Sequence, residues 1–578
     1  MANKKKAQAP KEKEKGELPA GEKWPVPPSS QKRPDAAAEL PDTDLAQITK
    51  SFFILSVLGV ASCVSQAGLS PVFGGIPTSI YHSYPVMAGC FLGWAGNVAL
   101  RHLPFKTADA LPIIALYLPT VQFFLSRYSD ILGNPWGPVV IESLTLFPLA
   151  LFSAASVADY LEGVKIPMLP KAFGDAVPGM GSWAVFKFVE SLFHAHLPLI
   201  ASKGFLYTRV GLSLVIGALY TLFSPSKYIV LAVPALLHTA LWNTNAMIPA
   251  ATQRLNDTLL ADNWVLLDRR ESVTGYLSVL ESVDRHFRVM RCDHSLLGGQ
   301  WNVANGLKVP EPIYGVFVML EAVRLAESQP KVADTDASAL VIGLGIGTTP
   351  SALVSHGIDT TVVEIDPAVH DLAVKHFDLK QNREPVLKNA VKYTAGLVEQ
   401  GNQTFDYVIH DVFTGGAEPV DLFTLEFLEG LSALLKPDGV IAINYAGDFK
   451  LPAPKVIVNT ITTVFPTCRF FRESAVQETS KEQDGTDFTN MVIFCKKTEE
   501  RLTFRKPVAQ DFLRSRAREV FLEPKNEVQQ ADLFGDNDDA QLLRKNNTDM
   551  MTEWHHTSAL GHWTIMRQVI PTKIWELW

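Results

Sequence analysis

LVIGLGIGTTPSAL, residues 340–353, is the stretch on which the fold turns. A short apolar strand, Leu340 to Ile342, breaks into Gly343, Gly345 and Gly347, and a helix is expected from Thr349 to His356. Glycines suit such a strand-to-helix turn, because the backbone bends tightly and a ligand approaches it with no Cβ in the way. The spacing is GxGxG and not the GxGxxG of a dinucleotide site, so the loop alone leaves a purely structural turn open.

Working outward, Glu364 ends the next expected strand, Thr360 to Glu364, about 20 residues on, where an acid can accept hydrogen bonds from two ribose hydroxyls. Loop and acid together predict a nucleoside site. A helix over Pro367–His376, a strand over Asp406–His410, a helix over Phe423–Leu435 and a strand over Val440–Asn444 continue the alternation. That order predicts an α/β domain with a Rossmann-like parallel sheet. Asn389 follows a third strand and either reads an adenine edge or caps a turn. Asp411 closes the strand FDYVIHD at the carboxyl edge of the sheet, where open α/β folds place ligands. It either accepts a proton from an attacking group or caps the turn at Thr414-Gly415-Gly416. His410 points to the opposite face by the two-residue period and is expected to be packed. Upstream, Gly275–Glu281 and His286–Cys292 flank a polar turn and predict a β-hairpin.

The N-terminal half has another character. Of 578 residues 47% are hydrophobic and 19% charged, and the charges thin out between Ser51 and Ala250. Six candidate membrane spans are expected: Phe52–Leu69, His82–Leu100, Ala108–Leu125, Gly137–Ala158, Thr208–Phe223 and Tyr228–Ile248, each near the roughly 20 residues that cross a bilayer. Phe186–Ile200 is expected to lie on the membrane surface as an amphipathic helix. Residues 1–50, with lysine runs, acids and prolines, are expected to be a disordered arm. Lys and Arg in that arm and in the second and fourth connections place both the N-terminus and the C-terminal half in the cytosol. The expected organisation is thus 1–50 arm, 51–250 membrane helical bundle, 262–310 small β-domain, 311–497 Rossmann-like domain and 498–578 extension. The net charge of −8 averages over two solvents; no nucleic-acid partner is expected, and a lipid bilayer is. Cys63, Cys90, Cys292, Cys468 and Cys495 are widely spaced, without CxxC or zinc spacing, which predicts reduced thiols and no metal site.

Taken together, TGYLSVLESVDRHFRVMRCDHSLLGGQW, the glycine loop, TTVVEIDPAV, FDYVIHD and FLEGLSALLKPDGVIAIN resemble the spermidine/spermine synthase family, over roughly Ser272 to Lys496. The resemblance implies a small β-domain joined to a methyltransferase-like Rossmann domain, aminopropyl transfer from decarboxylated S-adenosylmethionine to a polyamine, and a homodimer of the kind related synthases often form. It assigns donor binding to Gln300, Gly343, Gly345, Gly347, Glu364, Asp366 and Asn389, with Glu364 on the ribose, and gives Asp411 the acceptor amine. The chain departs from that pattern at Ile346, Asn389 and Thr414, where synthases carry acids. Each absent carboxylate removes a charge-assisted contact of about 1.5 to 3 kcal/mol with a cationic substrate. Ordinary S-adenosylmethionine carries its own carboxylate and tolerates these changes.

Three readings therefore stand: a membrane-anchored polyamine aminopropyltransferase acting on a small cationic amine; an S-adenosylmethionine-dependent methyltransferase with a spermidine-synthase-like domain; and a membrane transporter or scaffold with a degenerate nucleoside sensor. Glu142 and Asn97, polar residues inside expected spans, motivate the last.

Overall fold

The computed structural model describes residues 43–162, 171–200, 204–302, 309–327, 332–401, 404–412, 415–474, 487–534 and 541–578. The expectations for the arm up to residue 42 and for Thr414 lie outside the described residues. Residues 47–578 form one unit, which holds the segments 51–250, 262–310, 311–497 and 498–578; residues 1–46 form another, of which only the first turn of a helix is described.

Alternation of apolar residues lays out the main sheet. Ala339 and Val341 face one core, with Val362, Ile409 and Ala442; Leu340 and Ile342 face the other, with Val363, Val408 and Ile441. A strand buried on both faces needs such an unbroken apolar run. The sheet comprises β6 (Ser338–Ile342), β7 (Asp359–Glu364), β8 (Val386–Leu387), β9 (Phe405–His410), β10 (Leu435–Asp448), β11 (Thr467–Arg472), β12 (Phe488–Lys496) and β13 (Glu527–Val528). Its order is β13-β11-β12-β10-β9-β6-β7-β8. Strands β10 to β8 in that row are parallel, and β12 joins β10 antiparallel. The chain leaves β6 towards β7 on one side and returns at β9 on the other, which makes the β6/β9 edge the topological switch point where such sheets bind ligands.

A second, antiparallel sheet precedes it: β1 (Trp264–Glu271), β2 (Tyr276–Ser282), β3 (Phe287–Cys292), β4 (Ser295–Trp301) and β5 (Glu311–Pro312), in that order. The expected hairpin is β2–β3, with Ser282 opposite Phe287.

Cys468 and Cys495 correct the thiol expectation. They sit directly opposite each other on β11 and β12, their Cα atoms 4.2 Å apart, and form a disulfide. The partners are 27 residues apart, and only strand pairing brings them together.

The helical half differs from six spans. Among the described residues two helices, Thr43–Phe73 and Thr107–Ser126, are long and apolar enough to cross a membrane, and a third span exists if Trp136–Leu144 and Leu146–Leu161, bent by 43°, count as one. Of the other expected spans, one is the unbroken but shorter helix Arg209–Phe223, and two are interrupted: Ser83–Ala95 ends at Gly96, and Val233–Leu241 stops well before Ile248. Phe186–Ile200 is largely exposed. It belongs to the helix Lys171–Ile200, whose Phe186 is fully buried and whose Glu190 carbonyl accepts from the Cys63 thiol of the first helix. Ser83–Ala95 packs backbone to backbone on Leu146–Leu161, since a Cβ on Gly93 would come within 2.1 Å of the Leu151 carbonyl oxygen. Glu142 is paired with His82 Nδ1 at 2.6 Å, and His82 Nε2 meets the Ser62 hydroxyl at 2.8 Å.

The helical half is tied to the sheets by buried polar contacts. Arg209 bonds Glu271 of β1 and, at 3.1 Å, Asp293 in the β3–β4 turn; Ser70 also donates to Asp293, at 2.9 Å. Arg291 of β3 donates to the carbonyls of Pro71, Ile574, Trp575 and Leu577, so one guanidinium ties the first helix to the C-terminal segment.

Candidate active site

Strand β6 delivers the chain into the glycine loop, where Gly343 has φ +87 and Gly345 φ +54. A Cβ on Gly343 would lie 2.0 Å from the Asp411 carbonyl oxygen, and one on Gly345 2.4 Å from that of Leu297. The loop is thus pressed between the end of β9 and the small sheet, a backbone path only glycine can follow. Around it lies a cavity of about 600 Å³ at the carboxyl edge of β6, β7 and β9. That is ample for a nucleoside donor and part of an acceptor. An open depression of about 620 Å³ between Gln541 and Trp554 shares no lining residue with it and carries no carboxylate among the described residues.

Glu364, at the end of β7, lines the cavity and grips the loop: Oε2 accepts from Leu344 N at 3.0 Å and Oε1 from Asp366 N at 2.9 Å. Burial, aided by the neighbouring Asp366 charge, pushes its carboxyl up to about 7 against the pull of the backbone N–H groups. Each carboxylate oxygen keeps a lone pair for a ribose hydroxyl. Asp411 stands on the far side of the loop, only partly exposed at the cavity wall, and accepts from Asn444 Nδ2 at 2.8 Å. Its depth in the protein pushes it up to about 6, with the Asn444 bond opposing.

Asn389 also lines the cavity, but its Oδ1 caps the helix Ala390–Glu399 by accepting from Lys392 N at 3.2 Å. The cap reading describes that oxygen, and only the Nδ2 donors are left for an adenine edge. Gly347, Asp366 and Gln300 are not among the described lining residues. Gly347, with φ +83, is the N-cap residue of the helix Thr348–Ser355. Asp366 is spent on structure: Oδ1 accepts from Ala368 N at 2.9 Å, and Oδ2 from the Thr274 hydroxyl at 2.5 Å. Asp followed by Pro is the ordinary start of a helix. Gln300 is buried in β4 opposite Arg288 and Pro312. The β3–β4 ladder shifts register between Met290 and Arg291, with Gly298 at φ +137, and such a bulge re-aims the side chains beyond it. Leu297 reaches the cavity instead.

His410 is packed, as its strand parity requires: its Nε2 donates to the Leu422 carbonyl at 2.8 Å, and burial pushes its pKa down to about 4. Ile346, in place of a synthase acid, is buried against Gly298 of the small sheet. Of the carboxylates that could replace the absent acids, Glu418 is bound by Tyr445 and, at 2.8 Å, by His555, and Asp448 accepts from two backbone N–H groups; only Asp421 lines the cavity.

Sequence reasoning missed the rest of the wall. Gly74, Gly75 and Ile76, at the end of the first helix, and Asp293 and His294, in the β3–β4 turn, close the cavity opposite the Rossmann loops. The helix Thr552–Val569 of the extension packs behind them, with Trp563 Nε1 donating to the Val72 carbonyl at 3.0 Å and His562 set against Gly416. Asp293 and His294 stood inside the hairpin motif, the one available signal; the others are joined only by tertiary packing.

A glycine loop at the switch point, an acid on the neighbouring strand end and a partly exposed acid at the next define a transferase built around an adenosyl donor. Comparison with known proteins agrees. Residues 326–471 match the spermine/spermidine synthase domain. An N-terminal histidine N-methyltransferase of Emericella nidulans is 45% identical over 543 residues, 91% of this chain and 96% of that protein. A polyamine aminopropyltransferase of Vibrio vulnificus is 34% identical over 116 residues, 19% of this chain and 38% of that one. The crystal structure of a probable spermidine synthase from Corynebacterium glutamicum superimposes with a TM-score of 0.37 and 16% identity, covering 48% of this chain and 95% of that chain. The chain belongs to the family of the Emericella nidulans methyltransferase and carries a spermidine-synthase-like domain.

Proposed function

We propose that this chain transfers the methyl group of S-adenosylmethionine to a ring nitrogen of a histidine at the amino terminus of a protein or peptide. The similarity to the Emericella nidulans enzyme over nearly the whole chain supports methyl transfer, and the partly exposed carboxylate of Asp411 beside the glycine loop is the observation that carries the choice of nitrogen. An α-amino group, with a usual pKa of about 8, is protonated at neutral pH, and an acid near 6 is a poor base for it. An imidazole is already largely neutral there, with a lone pair on one nitrogen and N–H on the other. Asp411 accepts that N–H, fixes the tautomer and turns the lone pair towards the donor, while Asn444 holds the carboxylate in place.

The donor's place is built by Gly343, Gly345 and Glu364, the first two by leaving room and the third by accepting from the ribose hydroxyls. In the transfer the ring lone pair forms the N–C bond, the C–S electron pair passes to sulfur, and the N–H proton moves to Asp411. Apolar Ile346 in the loop leaves no acid there to repel the donor's carboxylate, whereas aminopropyl transfer to a polyamine would lack the acids that hold two cationic substrates.

The test is to offer the full-length protein both donors, with a peptide beginning in histidine and with a polyamine. Methylation of the first residue's ring, mapped by tandem mass spectrometry, is expected. An aminopropylated polyamine, or methyl on the α-amine alone, would refute the reading.

A further inference from the structure

His294 occupies the turn joining β3 to β4 and is one of the residues that line the cavity, as Asp411 is. The residue is 2% exposed, and both ring nitrogens are buried without a hydrogen-bond partner among the described residues. Buried polar groups are ordinarily paired, so this ring asks for a partner that enters from outside the chain.

The ring is held firmly. It stacks on Trp575 at 4.3 Å between centroids and on Trp563 at 5.7 Å. Neither indole can satisfy it, because Trp563 Nε1 donates to Val72 and Trp575 Nε1 to the Met566 carbonyl at 3.1 Å. Each tryptophan carries a guanidinium over its ring, Arg567 at 3.9 Å from Trp563 and Arg291 at 4.9 Å from Trp575. Burial first, then Arg567, Arg291 and His562, hold the His294 pKa well below its ordinary value, so the ring is neutral and offers one N–H donor and one acceptor nitrogen. Gly74, with φ +90 and no side chain, stands beside it.

This corner suits a particular group. Two nearby arginines disfavour an ammonium and favour an electron-rich oxygen, and a neutral ring N–H supplies a directed bond to it. We propose that His294 seats the acceptor by donating its ring N–H to a backbone carbonyl oxygen of the peptide, next to the residue that Asp411 holds for methylation. The seat rests on the reading of the acceptor as a peptide with N-terminal histidine, and it explains why the β3–β4 turn, the first helix and the C-terminal helix meet at one wall.

The test uses the full-length protein, saturating S-adenosylmethionine and a short synthetic peptide beginning with histidine, in three forms: wild type, His294→Phe and His294→Gln. Phenylalanine keeps the stacking and loses both nitrogens; glutamine restores an N–H donor. Loss of one buried hydrogen bond predicts a KM for peptide raised about tenfold in His294→Phe. The kcat and the dissociation constant for S-adenosylmethionine stay near wild type, and His294→Gln recovers part of the loss. A wild-type KM in His294→Phe, or a collapse of kcat at unchanged KM, overturns the seat alone. A wild-type protein that binds S-adenosylmethionine yet methylates no such peptide overturns the functional reading and the seat with it.

Discussion

Asp411 and Glu364 are both raised by burial, and the two shifts bear on different measurements. Asp411 has to be ionised to accept an N–H, so kcat/KM is expected to rise with pH through about 6 and then level. Asp411→Asn removes the acceptor and should cut methyl transfer by about 10² to 10⁴, leaving donor binding intact. Glu364, raised from 4.5 to about 7, binds its proton more tightly folded than unfolded. Its contribution to stability is therefore complete below about 4.5 and lost as pH rises through about 7. The ligand-free melting temperature should fall across that window, and Glu364→Gln should flatten the fall, which a thermal-shift series will show. These two acids were legible in the sequence because strand ends at a switch point are where chemistry collects. Asp366 and Gln300 lie outside the described cavity lining, one at a helix cap and the other beyond a β-bulge, features that a motif does not display.

At the scale of elements, the strands β6, β7 and β9 were legible from apolar runs to within a residue or two of their ends, and the helix Pro367–His376 at both ends. In the helical half the helices Thr107–Ser126 and Arg209–Phe223 were legible to within a residue, whereas the breaks at Gly96 and Thr145 were not, because hydropathy counts apolar residues without registering where a chain breaks. Helix contact there depends on glycine. Gly93→Leu would force the Ser83–Ala95 helix off Leu151 and should destabilise the protein by about 1 to 3 kcal/mol. Gly396 is the control: it lies within the helix Ala390–Glu399, no neighbouring atom comes within 4 Å of the position a Cβ would take, and Gly396→Ala should stabilise by about 0.5 to 1 kcal/mol. Paired melting curves, with opposite shifts expected, check both.

The whole molecule places its site where separate parts of the chain meet. A fragment of residues 262–497, the segment that motifs alone would isolate, lacks the Gly74–Ile76 wall and the helix Thr552–Val569. It should show no methyl transfer, and activity in that fragment would mean the outer wall is dispensable. The disulfide bears on sidedness. The Lys and Arg distribution favours a cytosolic catalytic half, whereas a bond such as Cys468–Cys495 persists in oxidising compartments. Asn546, exposed and opening an N-x-Thr sequon, reports the side: it stays bare in cells if this half is cytosolic, as the Lys and Arg distribution predicts, and is glycosylated if it is not. A mass unchanged by glycosidase, with Cys468 and Cys495 alkylated without prior reduction, is the result expected of a cytosolic domain.

The account stands on the cradle formed by Gly343, Gly345 and Glu364, and calorimetry on the full-length protein reads it most directly. S-adenosylmethionine should bind wild type and Asp411→Asn alike, and at least about tenfold more weakly to Glu364→Gln. Equal binding to the Glu364 variant, or binding of the decarboxylated donor in preference to S-adenosylmethionine, would contradict it.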